Sequence, residues 1–336
     1  MDEVLEEVSE KVLEEVPDDA ADDVEGQHSG YFRHGTAYVT NTDDATVSVI
    51  DLNRAREIKR IAVGNRPLGV AVSPDKRFVY VANTDDGTLS VIDALRHTVV
   101  ATVDLNAGPF VGTFPVGVAV SPDGRFVYVA NFTSENVSVV DARQLVLVTE
   151  IPLSARGQEI RVTPDGNLAY VTMSGVGTGF VGVLDLNANL QVKTIDTCGL
   201  GQAGLDLART RPLVYFGCTG ILGTIGAINT DLAEQSLTSI ILSSSPDQIA
   251  FNPSGSIAYV TELNGDELWV VDVFRHTQVL TITVGDGSRG VKVTDNGLLV
   301  VVTNEGDDSV SIVDARTNTV AATVPVGGGP THVDIA

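Results

Sequence analysis

One short pattern recurs along this chain at a nearly fixed interval, and it limits the fold more than any other feature. Ala37-Tyr38-Val39-Thr40-Asn41 returns as Val79-Tyr80-Val81-Ala82-Asn83 and as Val127-Tyr128-Val129-Ala130-Asn131. Further copies centre on Tyr170, Tyr215 and Tyr259, and a last one, Val301-Val302-Thr303-Asn304, lacks the tyrosine. Successive copies lie 42 to 48 residues apart, which gives seven units in 336 residues. Within a unit, an apolar run such as Gly69-Val70-Ala71-Val72 leads into the turn Ser73-Pro74-Asp75-Lys76. The tyrosine strand follows, then a polar loop, a third strand Leu89-Ser90-Val91-Ile92-Asp93 and a fourth, Thr98-Val99-Val100-Ala101-Thr102-Val103. Short runs of Val, Ile, Thr and Tyr between Pro-Asp-Gly and Asn/Asp clusters specify β-strands and tight turns.

Four strands per unit and seven units in series predict an all-β, seven-bladed β-propeller over residues 31–336, because radial repetition leaves only short, protected sheet edges. The first unit lacks its leading apolar strand, and the chain ends on Pro330-Thr331-His332-Val333-Asp334-Ile335, which resembles that strand. The C-terminal strand is therefore expected to complete the N-terminal blade and close the ring.

The Tyr-Val-Thr-Asn strands, the Ser73-Pro74-Asp75 and Ser121-Pro122-Asp123-Gly124 turns, and the strand-ending Asp51, Asp93, Asp141, Asp272 and Asp314 resemble the YVTN-type β-propeller repeat family. The resemblance implies a surface-layer or other extracytoplasmic propeller. Lactonase-like and streptogramin-lyase-like propellers are more distant relatives, as are propeller subunits of quinone- or haem-dependent dehydrogenases. One scaffold carries all of these activities, so the resemblance points to fold more than to reaction.

The formal net charge is −23, with 44 acidic against 21 basic side chains, which opposes unaided binding to nucleic acid or an anionic membrane. Residues 1–30 carry a net of −11. There Val4, Leu5, Val8, Val12, Leu13 and Val16 share one face of a short helix, with glutamates on the other and Pro17 as its stop. Residues 1–30 are expected to form an acidic helical extension and linker, either solvated or laid against a protein partner or a second copy. No apolar run reaches the roughly 20 residues of a transmembrane helix. The acidic start is unlike a secretory signal, so the chain is either cytoplasmic or extracytoplasmic after removal of a signal.

Departures of the units from their own repeat mark the candidate site. The position held by Ala71 and Ala119 becomes Arg161, Asp206, Lys292 and Asp334 elsewhere. Adjoining positions supply Arg66, Arg156, Glu159, Asp247, Gln248, Arg289 and His332. Polar groups on innermost strands should face the central channel, since a dry core penalises them. The default pocket is the rim where innermost strands begin. There Glu159 or His332 would act as acid or base, while Arg161, Arg289 or Lys292 would hold an anion. The alternative is a water-filled channel of mutually paired charges. The rim loops bearing Asp43, Asp44, Asp85, Asp86, Asp307 and Asp308 have the oxygen density for Ca²⁺ but also suit ordinary turns. Cys198 and Cys218 lie on one rim of one blade, placed for a disulfide or as free thiols.

Gly177-Thr178-Gly179-Phe180-Val181-Gly182 matches a dinucleotide-loop pattern, but a strand follows it instead of the required helix. No nucleophile elbow, metalloprotease motif or Cys-x-x-Cys is present. The reading that follows is a non-enzymatic binding or scaffold propeller that mediates protein or ligand interactions through its rim loops, with no cofactor expected and Ca²⁺ as the alternative to none. The alternative is a lactonase-like hydrolase or lyase with its site at the top of the channel.

Overall fold

The structure, a computed structural model, describes residues 35–197, 201–219, 223–230 and 237–336. The expected helix at residues 1–30 lies outside the described residues, as does Cys198. Seven four-stranded antiparallel sheets follow one another around a ring. Blade 1 is ordered Pro330–Ile335, Thr36–Asn41, Thr46–Asp51, Arg56–Ala62, so the last strand of the chain is the innermost strand of the first blade. Blade 2 runs Pro67–Val72, Phe78–Asn83, Thr88–Asp93, Thr98–Asp104. The innermost strands of blades 3 to 7 are Pro115–Val120, Arg156–Val162, Gly201–Leu207, Pro246–Phe251 and Ser288–Val293. Among the described residues, no helix is long and apolar enough to cross a membrane.

The repeated motif is legible atom by atom. Tyr38, Tyr80, Tyr170 and Tyr215 are fully buried, each between its own blade and a neighbour. Tyr38 donates its hydroxyl to Ala94 O of blade 2 at 3.0 Å. The motif asparagine closes its own hairpin: Asn41 Nδ2 donates to Thr46 Oγ1 and Ser48 Oγ, and Asn83, Asn131 and Asn304 do the same in their blades. That role leaves Asn131 and its partner Asn136 buried. The threonine joins blades. Every innermost strand bulges where it pairs with the motif strand. A bulge leaves an N–H without its ladder partner. Thr40 Oγ1 accepts that N–H from His332 at 3.2 Å and donates to Leu68 O of the next blade at 2.7 Å. Thr261 and Thr303 repeat the arrangement.

Turns are equally local. Ser73 Oγ accepts the N–H groups of Arg77 and Phe78 and donates to Asp75 Oδ1 at 2.7 Å, and Ser121 with Asp123 copies it. Packing then links blade to blade. Each of seven apolar clusters draws its residues from two adjacent blades, the last from blades 7 and 1 through Val301, Val310, Ala37 and Val333.

Ring closure rests on Pro330–Ile335, so a chain ending at Gly329 is expected to melt several degrees lower by circular dichroism. Thr40→Val leaves a buried N–H and a carbonyl without the hydroxyl, at a cost of about 1–2 kcal/mol in denaturant unfolding.

Candidate functional site

Two rims bound the central channel. The linker rim is where innermost strands begin, near Arg66 and Arg156, and the turn rim is where they end, at Ser73-Pro74-Asp75 and its counterparts. Between them lies a layer of small residues and polar exceptions. Gly69 and Gly117 bring their Cα atoms so close to the next blade that a Cβ would meet Val116 O at 2.1 Å and Gln158 O at 2.2 Å. Blades 4, 6 and 1 put Glu159, Gln248 and His332 at that level, each at the strand position whose N–H is accepted by a threonine hydroxyl at the bulge.

These three side chains meet across the axis. His332 Nε2 lies 2.9 Å from Glu159 Oε1, and Gln248 Nε2 donates to the same oxygen at 3.3 Å. Arg161 Nη1 donates to Glu159 Oε2 at 3.0 Å. Glu159 is only 4% exposed. Burial pushes its carboxyl up, but the His332 hydrogen bond and the Arg161 guanidinium outweigh that and bring it down to about 2. The plug leaves a void of about 20 Å³ beside His332, whose Nδ1 is buried without a partner among the described residues. That is room for one water molecule.

Below the plug, at the turn rim, opens a cavity of about 510 Å³. Its charged wall begins with Lys292 Nζ, 2.8 Å from Asp334 Oδ1, and Arg161 Nε, 3.6 Å from Asp206 Oδ1. Both carboxylates are also tied to neighbouring blades: Asp334 Oδ2 accepts Val72 N at 2.7 Å and Asp206 Oδ2 accepts Phe251 N at 2.8 Å. The opposite wall is apolar, with Ala71, Val118, Ala119, Val120 and Pro122.

The sequence placed the candidates along the channel with the pocket at the linker rim, and the structure divides them between the two mouths. Arg66, Arg156, Asp247 and Arg289 stay at that rim. Arg66 pairs with Asp85 at 3.5 Å and covers Phe114, and Arg156 approaches Glu135 at 3.9 Å and covers Phe132. Arg289 Nε holds Asp247 at 3.1 Å and Glu305 at 3.5 Å, while burial pushes the Asp247 carboxyl up. Arg161, Asp206, Lys292 and Asp334 belong to the opposite mouth, beyond the plug. The reason is the level along the strand, since the alanine position sits two residues further toward the turn than Glu159 or His332. Lys76, Arg209 and Asp295, which also line the cavity, were missed. A signal existed: Arg209 and Asp295 follow the last strand residues where Pro74, Pro122, Pro164 and Pro253 stand in other turns.

Four of the six carboxylates considered for Ca²⁺ accept backbone N–H groups. Asp44 takes Gly328 N, Asp86 takes Asn65 N, Asp307 takes Asp286 N and Asp308 takes Gly329 N. Asp43 and Asp85 lie beside them, and among the described residues no three metal-binding side chains converge. His97 and His276 occupy equivalent outer turns and meet Tyr38 and Tyr215 of the preceding blade at 3.1 and 2.7 Å. Cys218 is disulfide-bonded.

Glu159→Gln removes one partner of a buried pair and is expected to cost about 3 kcal/mol. A carboxyl held below its usual value adds stability above about pH 4.5 that fades as pH falls toward 2. The Tm of the wild type should therefore fall across that window more steeply than that of Glu159→Gln, as acid-range thermal melts would record. Equal melting in EDTA and in added Ca²⁺ is expected, because among the described residues no three metal-binding side chains converge and four of the rim carboxylates already accept backbone N–H groups.

Residues 34–184, under half of the chain, match the family model described as the Cytochrome D1 heme domain. No curated protein matches the chain. Among solved structures, the chain is similar to Kuenenia stuttgartiensis hydrazine synthase, with TM-score 0.76 and 18% identity over 87% of this chain and 99% of that one. It is similar to the dihydro-heme d1 dehydrogenase NirN in complex with DHE, with TM-score 0.68 and 18% identity over 95% of this chain and 79% of that one. A functionally unknown Desulfotomaculum acetoxidans protein gives TM-score 0.73 and 16% identity over 90% of this chain and 99% of that one. At these identities the likeness is one of fold. Haem iron is held by His, Cys, Met or Tyr, and none of these lines the turn-rim cavity. His332 above it is buried in the plug beside a void of only about 20 Å³, which has no room for a haem. The described residues of the cavity therefore do not fit a protein-ligated haem, and the chain is a seven-bladed propeller that shares its architecture with haem-domain and enzyme propellers alike.

Proposed function

We propose that this chain is a non-catalytic binding propeller of an extracytoplasmic compartment, engaging a ligand or partner through its rims. The observation that carries this reading is the Glu159 plug. A general acid or base works best with a pKa near the working pH. The hydrogen bond from His332 and the Arg161 guanidinium hold the Glu159 carboxyl well below the usual carboxylate range, which makes it a poor acid or base at neutral pH. Arg161 and Lys292 are likewise engaged by carboxylates of the channel wall. The disulfide at Cys218 supports an oxidising location, since cytosolic thiols are kept reduced. Rim loops and the acidic segment 1–30 are the surfaces through which a protein partner or a second copy would be engaged.

The hydrolase or lyase alternative predicts proton release from a lactone substrate. A pH-stat assay over a panel of small lactones is expected to show no rate above buffer. A rate that disappears in His332→Gln would overturn the proposal.

The match over residues 34–184 favours a second reading, a haem-carrying propeller. Its axial ligand would come from beyond the described residues, where His28 and His34 lie. Absorbance titration with ferric haem separates the two. The binding-module reading expects no axial-ligation band, and stoichiometric ligation lost in His28→Ala or His34→Ala would replace it with the second.

A further inference from the structure

The mouth of the turn-rim cavity carries a carboxylate that the turn itself does not use. In blade 2 the cap of the turn is Asp75, which takes Arg77 N, and Asp123 and Asp165 do the same in blades 3 and 4. In blade 7 that duty belongs to Asn296, whose Oδ1 accepts Leu298 N at 3.1 Å and Thr294 Oγ1 at 2.7 Å. Asp295 precedes it, at the position of Pro74, Pro122, Pro164 and Pro253. Its hydrogen bonds instead run across the mouth, to Lys76 Nζ of blade 2 at 2.8 Å and to Arg209 Nη1 of blade 5 at 3.1 Å. An anion thus sits between two cations from blades that do not adjoin blade 7.

That anion is replaceable. Lys76, Asp295 and Arg209 are each about half exposed, at 49%, 52% and 61%. Exposed ion pairs hold little net free energy, so turning Asp295 aside costs an incoming ligand little. The deeper carboxylates differ, because Asp206 and Asp334 are anchored to backbone N–H groups of neighbouring blades and stay where they are. With Asp295 turned out to solvent, Lys76 and Arg209 are left facing the cavity beside Arg161 and Lys292.

The other half of the cavity dictates what is attached to the incoming anion. Ala71 and Ala119 stand where blades 4, 5, 7 and 1 carry Arg161, Asp206, Lys292 and Asp334. Their small side chains, with Val72, Val118 and Val120, form a recessed apolar wall opposite the charged one. Apolar surface removed from water there contributes roughly 25 cal/mol per Å². Ligand pockets of this kind combine an apolar lining with a few convergent polar groups.

We propose that the turn-rim cavity binds a small organic acid with an apolar body, its carboxylate replacing Asp295 between Lys76 and Arg209 and its body lying on the Ala71–Ala119 wall. This deepens the binding-module reading and rests on it. The plug of Glu159, His332 and Gln248 closes the channel above the site, so the ligand enters and leaves by the turn rim.

The test is calorimetric titration of the full chain with 2-naphthoate, and with 2-naphthamide as the uncharged counterpart. One-to-one binding of the acid and none of the amide is expected. Asp295→Asn, which removes the competing anion, should tighten binding about fivefold, and Lys76→Met with Arg209→Met should weaken it about tenfold. Ala119→Leu should abolish binding by filling the apolar wall, and its melting temperature reports whether the fold persists. The surface variants do not depend on that control. Equal binding of acid and amide, no binding by Asp295→Asn at millimolar ligand, or unchanged affinity in the double variant would each overturn the proposal. Recovery of the naphthoate unaltered supports site and binding role together. Its chemical conversion would support the site and overturn the non-catalytic reading.

Discussion

A four-stranded blade has two apolar faces and cannot bury either by itself. Every part of this molecule follows from that constraint. The seven apolar clusters all lie between blades, so each blade is stable only with a neighbour on both sides, and the series must return to its start. Closure by Pro330–Ile335 against Thr36–Asn41 supplies the missing neighbour with sheet hydrogen bonds instead of side-chain contact alone. The chain termini of the ring are thereby held in a single blade, and opening one blade exposes two interfaces.

Closure also creates the channel and its tension between packing and polarity. Innermost strands converge so tightly that Gly69 and Gly117 admit no Cβ, yet the bulge leaves backbone N–H groups to be satisfied. The motif threonine solves both demands by accepting within its blade and donating to the next. Where the chain substitutes Glu159, Gln248 and His332 at that narrow level, it can do so because the three satisfy one another and Arg161. A buried carboxylate without such partners would be driven to the neutral form. The plug is thus a polar network that closes the channel, and it turns an open tube into a blind cavity facing one rim.

Much of this was legible in advance. The tyrosine spacing predicted seven units, and the similarity of Pro330–Ile335 to a leading strand predicted the closing blade. The positions of Arg161, Asp206, Lys292 and Asp334 announced themselves as departures from alanine. Their partners did not. Asp295, Lys76 and Arg209 carry no comparable mark within their own units. Only the comparison of Asp295 with the prolines of other turns distinguishes it, and that comparison has meaning once the turn positions are known to ring a cavity. The rim carboxylates misled in the opposite direction, since Asp44, Asp86, Asp307 and Asp308 are dense in oxygen but committed to backbone amides.

What the sequence by itself determined was everything governed by neighbours within a unit: strand alternation, the Ser-Pro-Asp turns, the asparagine-closed hairpins and the number of blades. These depend on contacts spanning a few residues and recur from unit to unit, so the pattern is its own confirmation. What only the tertiary structure decided was which departures meet. Glu159 and His332 are 173 residues apart and Lys76 and Asp295 219 apart, yet each pair comes together across the axis. Their meeting depends on the angle each blade takes around the ring and on the level each residue takes along the channel. The bulge in every innermost strand sets that level, and neither quantity is written in any single repeat.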